Sequence, residues 1–489
     1  MPPLLSNYFI LSRAKMKFRD LDQIDGKLLE RSQTTVSEMP PEFGFPMTTY
    51  VVIASMVGTG ILTTSGYTMA YVGSNQLMLG LWVIGGIIAV CGALTLAELA
   101  TALPQTGGDY VYLNAAYGPL VAFLSGWVSF LIGFSGPAAA AGIGSAKYLL
   151  APFALEPSTA IFAQRALATL AVLAFALNHV WGRRATTWVQ SWMTLVKLTL
   201  LFLFIAAGFY AGWRNTANLN DRVPITVPVA QSMLFSLIYI YYAYTGWNGA
   251  SYLAGEVADA QRVLPRAIFV GTGVVTLLYL AMNVVYALAL SSSDITEIIT
   301  GPNGSKNFDA VAPIAAIAAT RLFGAAWSDA LNIAFGLMLF STLSVYLLLG
   351  PRLIYAMAKA GQFPSIAATL SRNAATPVAA TAMQVAVTLV FIWSGSLQDI
   401  IGYASVGLSI FSLLSMSSIF ILRRKRPDLP RPFRTPGYPI TPAIYLILTG
   451  LLTITAFSQA PEVSSYALLS ILAGIPVFYL WKAIRAPAA

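Results

Sequence analysis

The amino-acid sequence predicts an all-α integral membrane protein with twelve transmembrane helices. Its 489 residues are 57% hydrophobic and only 10% charged, and the mean hydropathy is +0.71. Soluble chains typically carry about 25% charged residues, whereas a bilayer core requires uncharged apolar runs of roughly 20 residues. Such runs account for most of this chain, so packed helices in a membrane are the expected fold.

The spans follow from the positions of the charged residues. The run 43–97 carries no charge and has room for two spans. One span each is predicted within 110–146, 166–182, 185–213, 223–255, 267–293, 330–351, 373–398, 400–422, 435–461 and 463–481. The run 310–320 is too short to cross a bilayer, so we expect a loop or a re-entrant piece there.

The lysines and arginines predict that both termini are cytoplasmic. With the N-terminus inside, the inner segments hold 21 of the 28 Lys and Arg residues and the outer loops hold six, while Lys197 lies within a span. Cytoplasmic loops carry such an excess. We therefore expect cytoplasmic tails at 1–41 and 483–489. The asymmetry also explains the net charge of +9, so no nucleic-acid partner is predicted.

The residues that usually signal enzyme or metal chemistry are absent from the sequence. There is no G-x-x-x-x-G-K-[ST] phosphate loop, and no Cys/His cluster has metal-ligand spacing. The single cysteine, Cys91, cannot form a disulfide within the chain, and the single histidine, His179, is more typical of a structural role. We predict no enzyme activity, no metal and no cofactor.

Two spans carry glycine-containing interruptions at corresponding positions: IASMVGTGIL at 53–62 and YYAYTGWNGAS at 241–251. Glycine costs about 1 kcal/mol relative to alanine inside a helix. Irregular backbone at membrane depth is tolerated only inside protein or along a wet cavity. One such site alone is typical of close packing between helices through small residues. A pair, in the first helix of each of two five-helix halves, indicates an inverted-repeat secondary transporter with its site near the bilayer midplane.

The chemistry of a broken helix favours a zwitterionic ligand. The N-terminus of the half-helix after the break offers free N–H groups and a positive dipole end, which suit a carboxylate. The neighbouring unwound carbonyl groups suit an ammonium. Our hypothesis is therefore that the break exposes backbone to an α-amino acid.

Several motifs in the chain occur in an order that resembles a known superfamily. They are VGTGIL (57–62), AELATALPQTGGDYVYL (97–113), AYTGWN (243–248), GEV (255–257), LPRAI (264–268), GPRLIYAMAKAGQFP (350–364) and PGYPITP (436–442). Over roughly residues 43–480 the chain resembles the amino acid–polyamine–organocation (APC) superfamily, in particular its L-type amino acid transporters and their bacterial permease relatives. The resemblance implies a 5+5 inverted-repeat (LeuT-like) bundle with discontinuous helices 1 and 6. The first repeat would cover 42–215 and the second 223–422, with two further helices in 435–482.

The resemblance also implies a substrate site at the two breaks. Its expected residues are Ser55, Met56, Gly58, Thr59, Gly60, Tyr242, Ala243, Thr245, Gly246, Trp247 and Asn248. The amide groups at 58–60 would hold the carboxylate, and the carbonyl groups of residues 56, 242, 243 and 245 would take the ammonium. The Tyr242 ring would close the outer path. For Tyr242 and Trp247, ordinary helix packing is the alternative.

Lys197 lies near the centre of the run 185–213, about 18–20 Å from either end of a helix rising about 1.5 Å per residue. A charge at that depth costs at least about 2.5–3.5 kcal/mol. The resemblance places it where sodium-coupled members bind an ion, with carbonyl groups of helix 1 and hydroxyl groups near Ser341 and Thr342 as its expected partners. Transport is then expected to be sodium-independent, with Lys197 either a fixed cation or a titrating group that couples protons. The alternative is a lysine in a wet crevice with no mechanistic role.

The acidic residues favour a neutral substrate. Between residues 43 and 293 the membrane runs hold no acid near mid-depth, and Glu98 and Glu256 lie toward inner ends, where they are expected to tie helix ends to basic loops. A cationic substrate would need a buried carboxylate, so a neutral amino acid is predicted. The alternatives are a polyamine or cationic amino acid permease and a transporter-fold sensor. A channel would need continuous polar rings, which the other spans lack.

Two departures from the animal relatives limit the comparison. No cysteine follows span 3, so a disulfide-linked accessory subunit is not expected, and the chain looks like a self-sufficient protein of a bacterial inner (cytoplasmic) membrane. Span 3 reads Phe134-Ser-Gly-Pro137 without the arginine-proline pair of the animal exchangers. Proton symport, exchange and uniport therefore stay open, as does homo-oligomerisation. Asn303-Gly304-Ser305 matches a glycosylation acceptor by chance.

Overall fold

The computed structural model describes residues 39, 41–153, 155–221, 223–300, 304–371, 375–394, 397–459 and 461–485. Most of the predicted N-terminal tail, Asn303 and the chain end at 486–489 lie outside the described residues. Within the described ranges the chain is helical, and β-pairing is limited to two isolated bridges, Phe43 with Val257 and Thr300 with Lys306.

The α-helices are, in chain order, α1 (Phe45–Met56), α2 (Thr59–Val72), α3 (Asn75–Ala102), α4 (Asp109–Tyr117), α5 (Pro119–Val128), α6 (Ser135–Leu150), α7 (Pro157–Trp181), α8 (Arg183–Gly212), α9 (Val227–Tyr244), α10 (Ala260–Ala289), α11 (Ser292–Ile299), α12 (Ile314–Phe323), α13 (Ser328–Lys359), α14 (Val378–Ser394), α15 (Leu397–Lys425), α16 (Ile440–Gln459) and α17 (Pro461–Arg485). A π-helical segment, Ser129–Phe134, joins α5 to α6. A 3₁₀ segment, Gly249–Glu256, follows α9.

Ten helical stretches among the described residues are long and apolar enough to cross a membrane. The helices α9, with 18 residues, and α14, with 17, occupy the other two predicted spans. The run 310–320 contains most of α12, which has 10 residues and is too short to cross. Twelve spans stay a prediction from the sequence.

The broken helices lie at the centre of the bundle. The first half-helix, α1, packs against α8, α10 and α13, while α2 packs against α9. In the most apolar part of Phe45–Val72, 83% of the residues are buried, whereas in that of Pro157–Trp181 only 22% are buried. The interruptions are therefore enclosed by protein, where broken backbone is tolerated.

Glu98 and Glu256, the two acids that the sequence places toward inner helix ends, form ion pairs. Glu98 accepts from Arg423 at 2.7 Å and from the Thr435 amide at 2.7 Å. Glu256 pairs with Arg352 at 3.0 Å and with Arg183 at 3.3 Å. Both acids tie helix ends together. Arg423 lies at the end of α15, and Glu98 reaches the following loop through Thr435 and through Arg431 at 3.6 Å. Glu256 binds arginines on α8 and α13, so the expected basic loop is absent from its contacts.

His179 and Cys91 have the surroundings of structural residues. The His179 ring is buried, with Nε2 at 2.8 Å from the Ser344 carbonyl oxygen and Nδ1 at 3.3 Å from the Thr186 hydroxyl. It thereby connects α7 with α8 and α13. Cys91 is a free, half-buried thiol on α3.

Candidate functional site

The first interruption lies where the glycine motif predicts it. Helix α1 ends at Met56, Val57 and Gly58 are extended, and α2 begins at Thr59. The first N–H groups of a helix have no intrahelical acceptor, so the amides at the start of α2 are available to a ligand. The C-terminus of α1, which is the negative end of its dipole, is separated from these amides by only two residues.

The second interruption crosses the first in backbone contact. Helix α9 ends at Tyr244, and Gly246 has a φ of +107°, which only glycine adopts readily. A Cβ on Gly246 would lie 2.5 Å from the Ser55 carbonyl oxygen, and a Cβ on Gly60 would lie 2.7 Å from the Ala243 Cα. The glycines are therefore required because the two broken segments touch.

A small cavity lies between the two interruptions, and we call it the backbone subsite. It encloses about 10 Å³, close to the space of one water molecule. Its lining residues are Ser55, Met56, Gly58, Thr59, Gly60, Pro137, Tyr242, Ala243, Thr245, Thr342 and Tyr346. The structure thus gathers eight of the eleven predicted substrate residues around one space, with helix-start amides and unwound carbonyl groups on its walls.

A larger cavity, which we call the side-chain cavity, adjoins the backbone subsite. It encloses about 50 Å³ and shares Ser55, Thr245 and Tyr346 with its neighbour. Its lining residues are Ser55, Asp109, Ser129, Gly133, Phe134, Tyr241, Thr245, Gly246, Trp247, Asn248, Gly249, Tyr252, Tyr346, Leu349, Leu408, Phe411 and Ser412. The three remaining predicted residues, at 246–248, lie here rather than in the backbone subsite.

The two predicted aromatic residues lie on different walls. Tyr242 is 7% exposed, lines the backbone subsite and interacts through its side chain with Thr59. Trp247 is buried and packs edge-on against Tyr445, with ring centroids 5.8 Å apart. Tyr242 therefore stands where a ring can cover a bound ligand, whereas Trp247 forms part of the packed wall.

Two tyrosines that the sequence motifs did not reveal support the carbonyl groups of the site. The Tyr279 hydroxyl lies 2.6 Å from the Met56 carbonyl oxygen and 3.0 Å from that of Ala243. The Tyr346 hydroxyl donates to the Ser55 carbonyl at 3.0 Å. These tyrosines come from α10 and α13, far along the chain, and lie outside the quoted motifs. Each carbonyl oxygen has two lone pairs, so a ligand ammonium can still be accepted.

Lys197 is fully buried at the carboxyl end of α1. Its ammonium donates to the Val57 carbonyl at 2.5 Å and to the Thr342 hydroxyl at 2.7 Å, and it lies 3.5 Å from the Ala54 carbonyl oxygen. The Thr342 hydroxyl also donates to Val57 at 2.6 Å. A cation is favourable at the negative end of a helix dipole. Helix 1 and Thr342 are thus the partners that the sequence suggested.

Ser341 does not share in this arrangement. Its hydroxyl lies 3.2 Å from the Thr194 hydroxyl and 3.4 Å from the Gln190 amide nitrogen. Adjacent residues of a helix point about 100° apart, so Ser341 and Thr342 face different neighbours. The expectation that both hydroxyls serve Lys197 is wrong for Ser341.

Asp109 corrects the inference that the site lacks a buried acid. Its side chain is 7% exposed and lines the side-chain cavity. The carboxylate accepts from Asn248 Nδ2 at 2.8 Å, from the Tyr252 hydroxyl at 3.1 Å and from the Ser415 hydroxyl at 2.7 Å. Asp109 lies just outside the apolar run, and the positive φ values of Gly107 and Gly108 turn the chain into the bundle. Charge spacing along the sequence cannot reveal such a turn.

Helices broken where they cross, with helix-start amides and carbonyl groups around one enclosed space, are typical of a multi-pass membrane transporter with a central site. The chain belongs to the amino acid permease family, whose model matches residues 43–479. It is accordingly an amino acid transporter of the APC superfamily.

Similar proteins occur in mammals and in bacteria. The chain is 28% identical over 446 residues to the Asc-type amino acid transporter 1 of Mus musculus, covering 90% of this chain and 81% of the relative. It is 27% identical over 449 residues to the large neutral amino acids transporter small subunit 2 of the same species, covering 90% and 80%. The serine/threonine exchanger SteT of Bacillus subtilis is 28% identical over 450 residues, covering 91% of this chain and 98% of the relative.

Proposed function

We propose that the protein moves neutral α-amino acids across the cytoplasmic membrane by alternating access, without sodium. The Lys197 ammonium at the end of α1 is the observation that carries the proposal, because it donates to Val57 and Thr342. In transporters of this architecture, unwound carbonyl groups and half-helix C-termini are where a coupling cation binds. A covalently held ammonium there leaves no vacancy for a sodium ion.

The substrate backbone is bound by the two interruptions. The carboxylate accepts from the amides at 58–60, and the ammonium donates to carbonyl groups of residues 56, 242, 243 and 245, some of which are already polarised by a tyrosine hydroxyl. Tyr242 closes over the bound ligand from the outer side. The relatives named for large neutral amino acids and for serine and threonine support a neutral substrate.

The proposed architecture is a bundle of twelve spans with both termini cytoplasmic. Residues 42–215 and 223–422 form the two inverted repeats, with two further spans in 435–482. The ion pairs of Glu256 with Arg183 and Arg352 join three segments at the cytoplasmic end and act as the inner gate. No disulfide-linked subunit is required, since the one cysteine lies on α3.

A cationic amino acid or a polyamine is the second candidate substrate, and Asp109 is the observation that favours it. A buried carboxylate beside the cavity is what a cationic side chain needs. Its negative charge is, however, already stabilised by three neutral donors. A neutral substrate therefore stays the first choice.

Uptake into proteoliposomes tests both candidates. Purified protein is reconstituted into empty and amino-acid-loaded vesicles, with sodium or potassium outside and with or without an inward proton gradient. Neutral amino acids, lysine and putrescine are compared as labelled substrates. We expect neutral amino acid uptake that is the same in sodium and potassium. Uptake only into loaded vesicles identifies an exchanger, and uptake that follows the proton gradient identifies a symporter. Uptake of lysine or putrescine alone, or a strict sodium requirement, would contradict the proposal.

A further inference from the structure

The side-chain cavity is placed to receive the side chain of a bound amino acid. It meets the backbone subsite at Ser55, Thr245 and Tyr346. Its volume of about 50 Å³ has room for a few water-sized groups. A ligand held by its backbone charges would therefore extend a short side chain toward Asn248 and Asp109.

Asp109 fixes which end of the Asn248 amide faces this cavity. An ionised carboxylate only accepts hydrogen bonds, whereas an amide has a donor nitrogen and an acceptor oxygen. Asn248 Nδ2 lies 2.8 Å from Asp109 Oδ2. Turning the amide over would bring two oxygens together, so the nitrogen stays on Asp109. Asn248 is only half-buried and lines the cavity, so its carbonyl oxygen is the end left for the ligand.

The Asp109 carboxylate is itself held in place. Ser415 donates to Oδ1 at 2.7 Å, and the Tyr252 hydroxyl donates to Oδ2 at 3.1 Å. A Cβ on Gly108 would lie 2.8 Å from the Tyr252 ring, so the turn before Asp109 packs tightly. Among the described residues Asp109 forms no ion pair that would draw it away.

We propose that Asp109 is a positioning residue that presents the Asn248 carbonyl oxygen to the side-chain cavity and thereby selects small α-amino acids whose side chain donates a hydrogen bond. The inference rests on the proposed function. A side chain with a hydroxyl satisfies the oxygen, whereas an apolar side chain of the same shape leaves a desolvated acceptor without a partner. Sites built to bind a hydroxyl reject analogues that lack it.

Threonine and valine provide the test, because they differ by a hydroxyl in place of a methyl group. The measurement is the ratio of kcat/KM for L-threonine over L-valine in proteoliposomes, with L-serine over L-2-aminobutyrate as a second pair. We expect the unchanged protein to prefer the hydroxyl member by at least about tenfold. D109N, which frees the Asn248 amide to turn over, should reduce the ratio several-fold, and N248L should bring it to about one. D329N removes an exposed carboxylate on α13 and should leave the ratio as it is.

Each result is decisive. Transport of valine as well as threonine by the unchanged protein would overturn this inference and leave amino acid transport intact. Transport of no amino acid would overturn the proposed function itself. If D109N kept the full preference for threonine over valine, Asp109 would have no part in substrate selection. If D109N fails to fold, N248L carries the test, because it removes the oxygen that Asp109 is proposed to present; an unchanged ratio in N248L would also reject the proposal.

Discussion

Lys197 and Asp109 are two buried charges of opposite sign, on different sides of the same site, and they are stabilised in different ways. Within the described part of the chain neither forms an ion pair. Lys197 donates to a main-chain carbonyl group and to one threonine hydroxyl. Asp109 accepts only from side chains, those of Asn248, Tyr252 and Ser415.

The two arrangements correspond to two roles: Lys197 serves the transport of every substrate, whereas Asp109 serves the choice among substrates. The backbone carbonyl that accepts from Lys197 is present whatever the residue type, so apart from Thr342 the Lys197 region depends on where helix 1 breaks. Side-chain partners change with every substitution, so the Asp109 region can be tuned without moving the backbone. We therefore expect changes at Lys197 to affect all substrates alike and changes at Asp109 to alter the choice among them.

Replacing Lys197 by methionine should have the largest effect. It removes two hydrogen bonds from a charged group, each worth roughly 1.5–3 kcal/mol, so uptake of every substrate should fall by at least about 100-fold. The fold should survive, because methionine removes a charge that is costly to bury and the Thr342 hydroxyl still donates to the Val57 carbonyl. Initial uptake rates and melting temperature measure the two effects.

The matched control is K147M, which removes an exposed lysine near the end of α6 and should leave uptake unchanged. If K197M transports like the unchanged protein, with the same dependence on pH and sodium, Lys197 has no part in the mechanism. If K197M lost uptake of only some substrates, Lys197 would affect substrate choice as Asp109 does, and the proposed difference between the two residues would be wrong.

Gly246→Ala tests whether the close contact between the two interruptions keeps Lys197 and Asp109 in position. Alanine at a φ of +107° costs about 1–3 kcal/mol, and its Cβ would lie 2.5 Å from the Ser55 carbonyl oxygen. We expect a lower melting temperature and weaker binding of all substrates. Gly273→Ala is the control: it lies within α10 with open space around it, so stability should rise by up to about 1 kcal/mol. Equal melting temperatures for G246A and the unchanged protein would contradict the close approach.

The neighbouring hydroxyls of α13 give the smallest and sharpest comparison. Thr342→Val keeps the shape but removes the acceptor of Lys197, which should slow uptake of all substrates by about tenfold or more. Ser341→Ala removes hydrogen bonds to Thr194 and Gln190 only, so it should slow uptake less. The measurement is the initial uptake rate of T342V and of S341A, determined side by side. A larger effect of S341A than of T342V would contradict the assignment.

The sequence predicts the broken helices well because glycine marks positions where two backbones touch. The interruption at 57–58 and the positive φ of Gly246 both fall within the quoted motifs. Lys197 is conspicuous in the sequence because a charge in the middle of a 29-residue apolar run is costly. Each of these signals is local in sequence and has a large energy behind it.

The supporting contacts could not be predicted in the same way. Tyr279 and Tyr346 are ordinary aromatic residues of long helices, and only the packing directs their hydroxyls at carbonyl groups of helix 1. Asp109 is one residue outside an apolar run, so a rule based on run length assigns it to a loop, whereas the turn at 107–108 folds it into the bundle. Ser341 and Thr342 differ by one position, and only the rotation of α13 distinguishes them.

The docking of Glu42 and Phe43 onto the end of the 3₁₀ segment bears on how the chain is handled in the laboratory. The amides of both residues donate to the Glu256 carbonyl at 2.8 and 3.0 Å, the Phe43 carbonyl accepts from Ala258, and Arg183 lies over the Phe43 ring. Residues 42–43 thus work as a clasp that holds the chain before α1 against the end of the 3₁₀ segment. A tag or truncation placed directly before residue 42 would act on the clasp, so a fusion intended to be silent belongs further upstream or at the other end of the chain.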